Sequence, residues 1–112
     1  MSERVPKFLL QDILDSVDAI LEYTDQISFE EFQKDRKTKD AVVRNIAVIG
    51  EAAKRIPDAI KTENPQIEWQ RIIRSRHIVV HDYAGIDYEI VWRIIQVHLP
   101  PLKQAIGEIL NS

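Results

Sequence analysis

Cysteine is absent from the 112-residue chain, which excludes disulfides and cysteine-ligated zinc and agrees with a reducing compartment. Glycine occurs three times and never as a pair, so the residues that tight hairpin turns demand are scarce. That shortage points to helices. No apolar run approaches the roughly 20 residues needed to span a bilayer. The short apolar patch after Pro6 is interrupted too soon for a secretory h-region. A cytoplasmic protein with no membrane association is therefore expected. A basic excess is missing too: 15 Lys+Arg stand against 18 Asp+Glu, a net charge of −3. This balance argues against an extended surface that wraps duplex nucleic acid, because such binding rests on neutralised phosphates. It leaves room for a small basic pocket.

Hydrophobic residues make up 45% and charged residues 29%, as in ordinary globular proteins. The length suits one domain spanning 1–112. Apolar spacing and punctuation predict five helical stretches. The first runs from about Lys7 to Tyr23, burying Leu10, Ile13, Leu14, Val17, Ile20 and Leu21; Asp15, Asp18, Glu22 and Asp25 form a solvated acidic stripe. Ser28 and Glu31 make a capping box for a short helix that carries Phe29 and Phe32. The stretch from Asp35 to Asp40 reads as a charged connection, with Lys34, Arg36, Lys37 and Lys39 grouped on it. A strong helix from about Thr38 to Arg55 carries Val42, Ile46, Ile49, Ala53 and Ile56 as an a/d seam. Beside that seam Glu51 and Arg55 are spaced as a surface pair, and Pro57 ends the helix. Trp69 to about Val80 is the fourth stretch, with Gly85 suited to a helix C-terminal turn. Asp87 caps the last helix, and Ile86 and Val91 are placed as a hydrophobic staple. Its apolar side is read as Ile90, Ile94, Val97, Leu102, Ile106 and Ile109, and Pro100-Pro101 must interrupt it. Trp69 and Trp92 read as core or dimer-seam anchors. The expected architecture is an all-α, up-down bundle of four main helices plus a short extra one; long seams on so small a domain favour a homodimer.

Chemistry concentrates in Arg71-Ile-Ile-Arg74-Ser-Arg76-His77-Ile-Val-Val-His81-Asp82-Tyr83. It is the most positive segment of an acidic chain. Arginine presents a rigid fork of donors to a phosphate, histidine both takes and gives a proton near neutral pH, and tyrosine adds a phenolic donor. These parts suffice for metal-free RNA cleavage: an imidazole withdraws the 2′-hydroxyl proton, a protonated group assists departure of the 5′-oxygen, and arginine neutralises phosphoryl charge. On a continuous helix Arg76 and His81 are rotated by about 140° and share no face. Two remedies exist, and both are expected to act together: the helix ends near Val80 and redirects His81, and a second subunit's motif completes the pocket across a two-fold axis. From spacing alone, a polar helix end with a hydrogen-bonded His81 remains the bland alternative. His77 and His81 have the spacing of a zinc-binding helix, but Ile78 stands where that motif needs its glutamate. No metal or other cofactor is expected.

Arg76-x-x-x-x-His81-x-Tyr83 resembles the motif of the HEPN superfamily, in particular the HepT-like toxins. Phe29-Glu-Glu-Phe-Gln-Lys-Asp35, Arg44-Asn45, Ile49-Gly-Glu-Ala-Ala-Lys-Arg-Ile-Pro57, Trp69 and Ile86-Asp-Tyr-Glu-Ile-Val-Trp92 extend the resemblance across nearly the whole chain. It implies a dimeric, metal-independent endoribonuclease whose active site is shared by two facing motifs, with Arg76 and His81 as the catalytic pair. Arg74, His77 and Tyr83 are expected to position RNA; His77 stands where the family often has asparagine. The resemblance further implies a toxin paired with a minimal nucleotidyltransferase antitoxin that adds AMP to Tyr83. A HEPN module that binds a nucleotide or partner without cleaving is the alternative.

Overall fold

In a computed structural model, the structure describes residues 4–80 and 85–112, with side chains described for 6–77 and 85–112. The described elements are all helical: α1 (Arg4–Tyr23), α2 (Phe29–Lys34), α3 (Arg36–Arg55), α4 (Asp58–Glu63), α5 (Trp69–Val80), α6 (Tyr88–Arg93), a π-helical turn (Ile94–His98) and α7 (Leu99–Asn111). The long helix α3 is the centre of the bundle, packed against α1 on one side and α5 on the other, and α7 closes on α1. None of the described helices is long and apolar enough to cross a membrane.

The a/d seam behaves as its spacing requires, with Val42, Ile46, Ile49, Ala53 and Ile56 all buried. Opposite it, α1 buries Leu10, Ile13, Val17 and Ile20. Phe32 enters the core from α2 and stacks near Trp92 (ring centroids 5.1 Å apart) and Tyr88 (6.1 Å). Trp69 is buried, and its indole N–H donates to the Asn64 carbonyl at 3.1 Å. Trp69 is thus a core residue, and Trp92 packs half-buried against the core with its ring face on Phe32.

Local punctuation sets the element ends. Ser28 Oγ accepts from Glu31 N, and Glu31 Oε1 accepts from Ser28 N at 3.0 Å, the reciprocal capping box. Asp87 accepts from the backbone of Glu89 and Ile90, and Ile86 and Val91 both join the core cluster.

Four expectations need correction. The Asp35–Asp40 stretch is not a connection. Asp35 alone separates α2 from α3 and caps α3, accepting from Thr38 N at 3.1 Å and Thr38 Oγ1 at 2.6 Å. The run is helical because its first residue provides the cap that the lysines and arginines behind it need. Second, Asp58–Glu63 forms an additional helix, α4, between Pro57 and Pro65. Third, Gly85 does not adopt the left-handed conformation of a helix C-terminal glycine; among the described residues only Gln26 has positive φ, at 60°.

The fourth concerns the last helix. Its buried side is Val91, Ile95, Leu99, Leu102 and Ile106, whereas Ile90 and Val97 are 43% and 53% exposed. The π-helical turn explains the shift. Leu99 N bonds back to the Ile94 carbonyl, five residues away, which adds a residue to that turn and rotates the apolar register. The widened turn sits where Pro100 and Pro101 remove two amide donors.

The Thr38 hydrogen bonds hold the Asp35 carboxyl below the usual carboxylate range. A carboxylate whose folded pKa is depressed contributes stability above its unfolded pKa and loses it as pH falls through the folded one. Asp35→Asn keeps an acceptor for the cap but cannot ionise, so it is expected to lower Tm modestly at pH 7, where the carboxylate contributes, and to converge with wild type below about pH 4, which flattens the acid limb of a Tm-against-pH curve measured by circular dichroism.

Candidate functional site

The polar end of α5 is shaped by its crossing with α3. At Gly50 of α3, a β-carbon would lie 2.8 Å from Arg76 Cβ and 3.4 Å from the Ile72 carbonyl oxygen. No side chain fits there, so α3 and α5 approach backbone to backbone, and Arg76 is seated directly over the glycine. The next residue of α3, Glu51, forms an ion pair with the Arg76 guanidinium. Arg76 is only 25% exposed, and Glu51 57%. A guanidinium held on one edge by a carboxylate keeps its remaining donors for another acceptor. Glu51 was expected to pair with Arg55. The crossing at Gly50 gives it Arg76 instead.

The remaining arginines of α5 look elsewhere. Arg71 pairs with Glu68 at 3.2 Å and approaches His98 Nε2 of the π-helical turn at 3.4 Å. Arg74 is exposed, has no acidic partner among the described residues, and lines a groove between α5 and the α6–α7 run. His77 is exposed on α5. His81 and Tyr83 lie outside the described residues, so the structure places Arg74, Arg76 and His77 of the sequence-based site but not those two. No group of histidines and carboxylates able to hold a metal occurs among the described residues.

The basic group expected after α2 is dispersed by helix formation. Arg36 reaches Asp40 at 4.0 Å, and Lys39 Nζ lies 4.7 Å from the centre of the Tyr88 ring. On the α1 stripe, Asp18 meets Lys103 of α7 at 3.0 Å.

Sequence reasoning missed two residues of the site. Glu51 could not be recognised as the partner of Arg76, 25 positions away, without the helix crossing. Gly50 left a signal: a lone glycine inside an otherwise strong helix often marks close backbone approach.

Fold and site together define a small all-α protein with arginines concentrated on one helix and one of them locked at a tight helix crossing. The chain belongs to the ribonuclease HepT-like family, whose model matches residues 13–109, and the resemblance carried by Arg76-x-x-x-x-His81-x-Tyr83 is borne out at the level of family. It is 38% identical over 112 residues to a protein of Methanocaldococcus jannaschii named "Putative RNase", covering 100% of this chain and 93% of that one. It is 39% identical over 101 residues to a protein of Thermococcus cleftensis named "Probable ribonuclease HepT" (90% and 92% covered). A further "Putative RNase", from Caldanaerobacter subterraneus subsp. tengcongensis, is 34% identical over 109 residues, with 97% of each chain covered. No solved structure matches the chain.

Proposed function

We propose that this chain is a metal-independent endoribonuclease and the toxin of a toxin–antitoxin pair, acting as a homodimer of single HEPN domains with Arg76 and His81 as its catalytic residues. Family membership and the names of the relatives supply the class. The observation that carries the residue assignment is Arg76 itself, a partly buried guanidinium fixed by Glu51 over Gly50 and still holding donors to give.

In the reaction, His81 accepts the proton of a ribose 2′-hydroxyl, and the 2′-oxygen attacks the adjacent phosphorus. The bond from phosphorus to the 5′-oxygen breaks, and that oxygen takes a proton from a protonated group. Arg76 stabilises the charge on the non-bridging oxygens, where a preorganised donor is worth about 2.7–4 kcal/mol. The products are a 2′,3′-cyclic phosphate and a 5′-hydroxyl, and DNA resists because it has no 2′-hydroxyl. Two facing motifs across a two-fold axis bring together groups that one helix separates by about 140°.

Glu51 positions Arg76. A partly exposed ion pair adds at most about 1 kcal/mol to stability, but a misplaced catalytic group can reduce rate by about 100-fold. Glu51→Gln is therefore expected to leave Tm nearly unchanged and to lower kcat for RNA cleavage by at least about tenfold with a smaller change in KM. A loss confined to Tm would make the pair merely structural.

Regulation follows from Tyr83. A nucleotidyltransferase antitoxin would transfer AMP from ATP to the phenolic oxygen with release of pyrophosphate, placing a negative phosphodiester beside Arg76 and filling the pocket. Intact mass spectrometry after co-expression with the nucleotidyltransferase of a neighbouring reading frame tests this. One AMP added to the wild type and none to Tyr83→Phe is the expected result; an equal mass gain in both would move the modification elsewhere.

A further inference from the structure

Between α5 and the α6–α7 run lies a groove of about 480 Å³, within the range of small-ligand sites. Its floor is aliphatic: Ile46 and Ile49 of α3, with Ile72 of α5 and Leu102 of α7. Val97 stands 53% exposed and Ile90 43% exposed in its wall. The rim is different in kind. Arg71 and Arg74 come from α5, and Arg93 and His98 from the far bank. Glu68, the one acid on the rim, is held by Arg71 at 3.2 Å. Arg74 and Arg93 have no acidic partner among the described residues. A chain of net charge −3 thus gathers three guanidiniums around one apolar trough.

We propose that this groove is an RNA subsite, which receives an unpaired nucleotide outside the cleaved linkage. The proposal rests on RNA being the substrate. It adds Arg93, Arg71 and His98 to the residues that hold RNA, and it gives exposed Arg74 a defined place. The trough takes a base by its apolar face, between the side chains of Ile90 and Val97. The backbone phosphates follow the rim, where Arg71 Nη1 and His98 Nε2 touch each other at 3.4 Å and can both turn their donors to one phosphate oxygen in place of that contact. Charge complementarity selects this occupant. A strand of phosphates matches a cationic rim. Arg74 lines the trough, and Arg76, two residues on, is rotated by about 200° around α5 towards Gly50 and Glu51, so the trough and the residue assigned to the scissile phosphate occupy different faces of one helix.

The test is RNA binding by the full chain carrying His81→Ala, which separates binding from cleavage. The probe is a labelled single-stranded oligoribonucleotide followed by fluorescence anisotropy across a salt series. Adding Arg74→Gln and Arg93→Gln is expected to weaken binding at least tenfold. The slope of log K against log salt should fall by about 1.4, or about 0.7 for each phosphate no longer neutralised. Val97→Asp, at an exposed position, is expected to weaken binding as strongly with an unchanged molecular mass. Unchanged affinity in these variants would overturn the subsite while leaving ribonuclease activity, read separately with the wild type, untouched. A fall in mass with Val97→Asp would make the groove the seat of a second copy, and displacement by AMP as effective as by unlabelled RNA would make it a mononucleotide site; either result overturns the proposal.

Discussion

Replacing His81 by alanine is expected to reduce RNA cleavage by about 10²–10⁴-fold, the range over which a positioned proton acceptor contributes. Arg76→Ala should lose about 10²–10³-fold, the loss typical of a donor that stabilises developing oxyanion charge. In the proposed reaction the two groups serve one transition state, so the double variant should be little worse than His81→Ala alone. Two roles at separate sites would give multiplied losses instead. Arg76→Ala also leaves Glu51 without its partner, but Glu51 is 57% exposed and water can satisfy it. Its thermal unfolding should therefore stay close to wild type, and a gel assay on mixed RNA then reads chemistry alone. Wild-type-like cleavage by His81→Ala would remove the imidazole from the mechanism, and no cleavage by either protein would favour a HEPN module that binds without cutting.

The second large effect is expected at Gly50. Glycine inside a helix is less favourable than alanine by about 1 kcal/mol, so on α3 taken alone Gly50→Ala should stabilise. The crossing reverses this sign. The new methyl group would stand 2.8 Å from Arg76 Cβ, close to the backbone of α5 where no rotamer can yield, and 3.4 Å from the Ile72 carbonyl. Forcing the helices apart carries the roughly 1–3 kcal/mol penalty of overpacking, and Gly50→Val would exceed it. Gly50→Ala should thus lower the urea midpoint or at best leave it unimproved. Separation of the helices also draws Arg76 away from Glu51, so cleavage should fall by about 100-fold, out of proportion to the change in stability. A more stable, fully active Gly50→Ala variant would show that the close approach has no role in seating Arg76.

Helix identity was legible in the sequence wherever local chemistry decides it. The seam from Val42 to Ile56, the Ser28–Glu31 box and the Asp87 cap each rest on residues within a turn or two of one another. What escaped depends on distant geometry or on competition between neighbouring signals. The charged residues after Asp35 suggested a connection because their solubility outweighed a cap that only the Asp35–Thr38 hydrogen bonds make plain. Pro100-Pro101 signalled an interruption, yet not that a π-helical turn would absorb it and bring Ile95 and Leu99 inward while Val97 turns out. The arginine-rich segment was recognisable as the candidate site from composition and motif. Its neighbours Glu51, Arg93 and His98 were not, because a helix crossing and a rotated register bring them near α5.

End-group analysis of RNA cleaved in the presence of EDTA tests the central chemistry most directly. Attack by the neighbouring hydroxyl, assisted only by side chains, leaves 2′,3′-cyclic phosphate and 5′-hydroxyl termini, at a rate the chelator does not change. Termini carrying 5′-phosphate, or digestion that stops when divalent ions are removed, would contradict it.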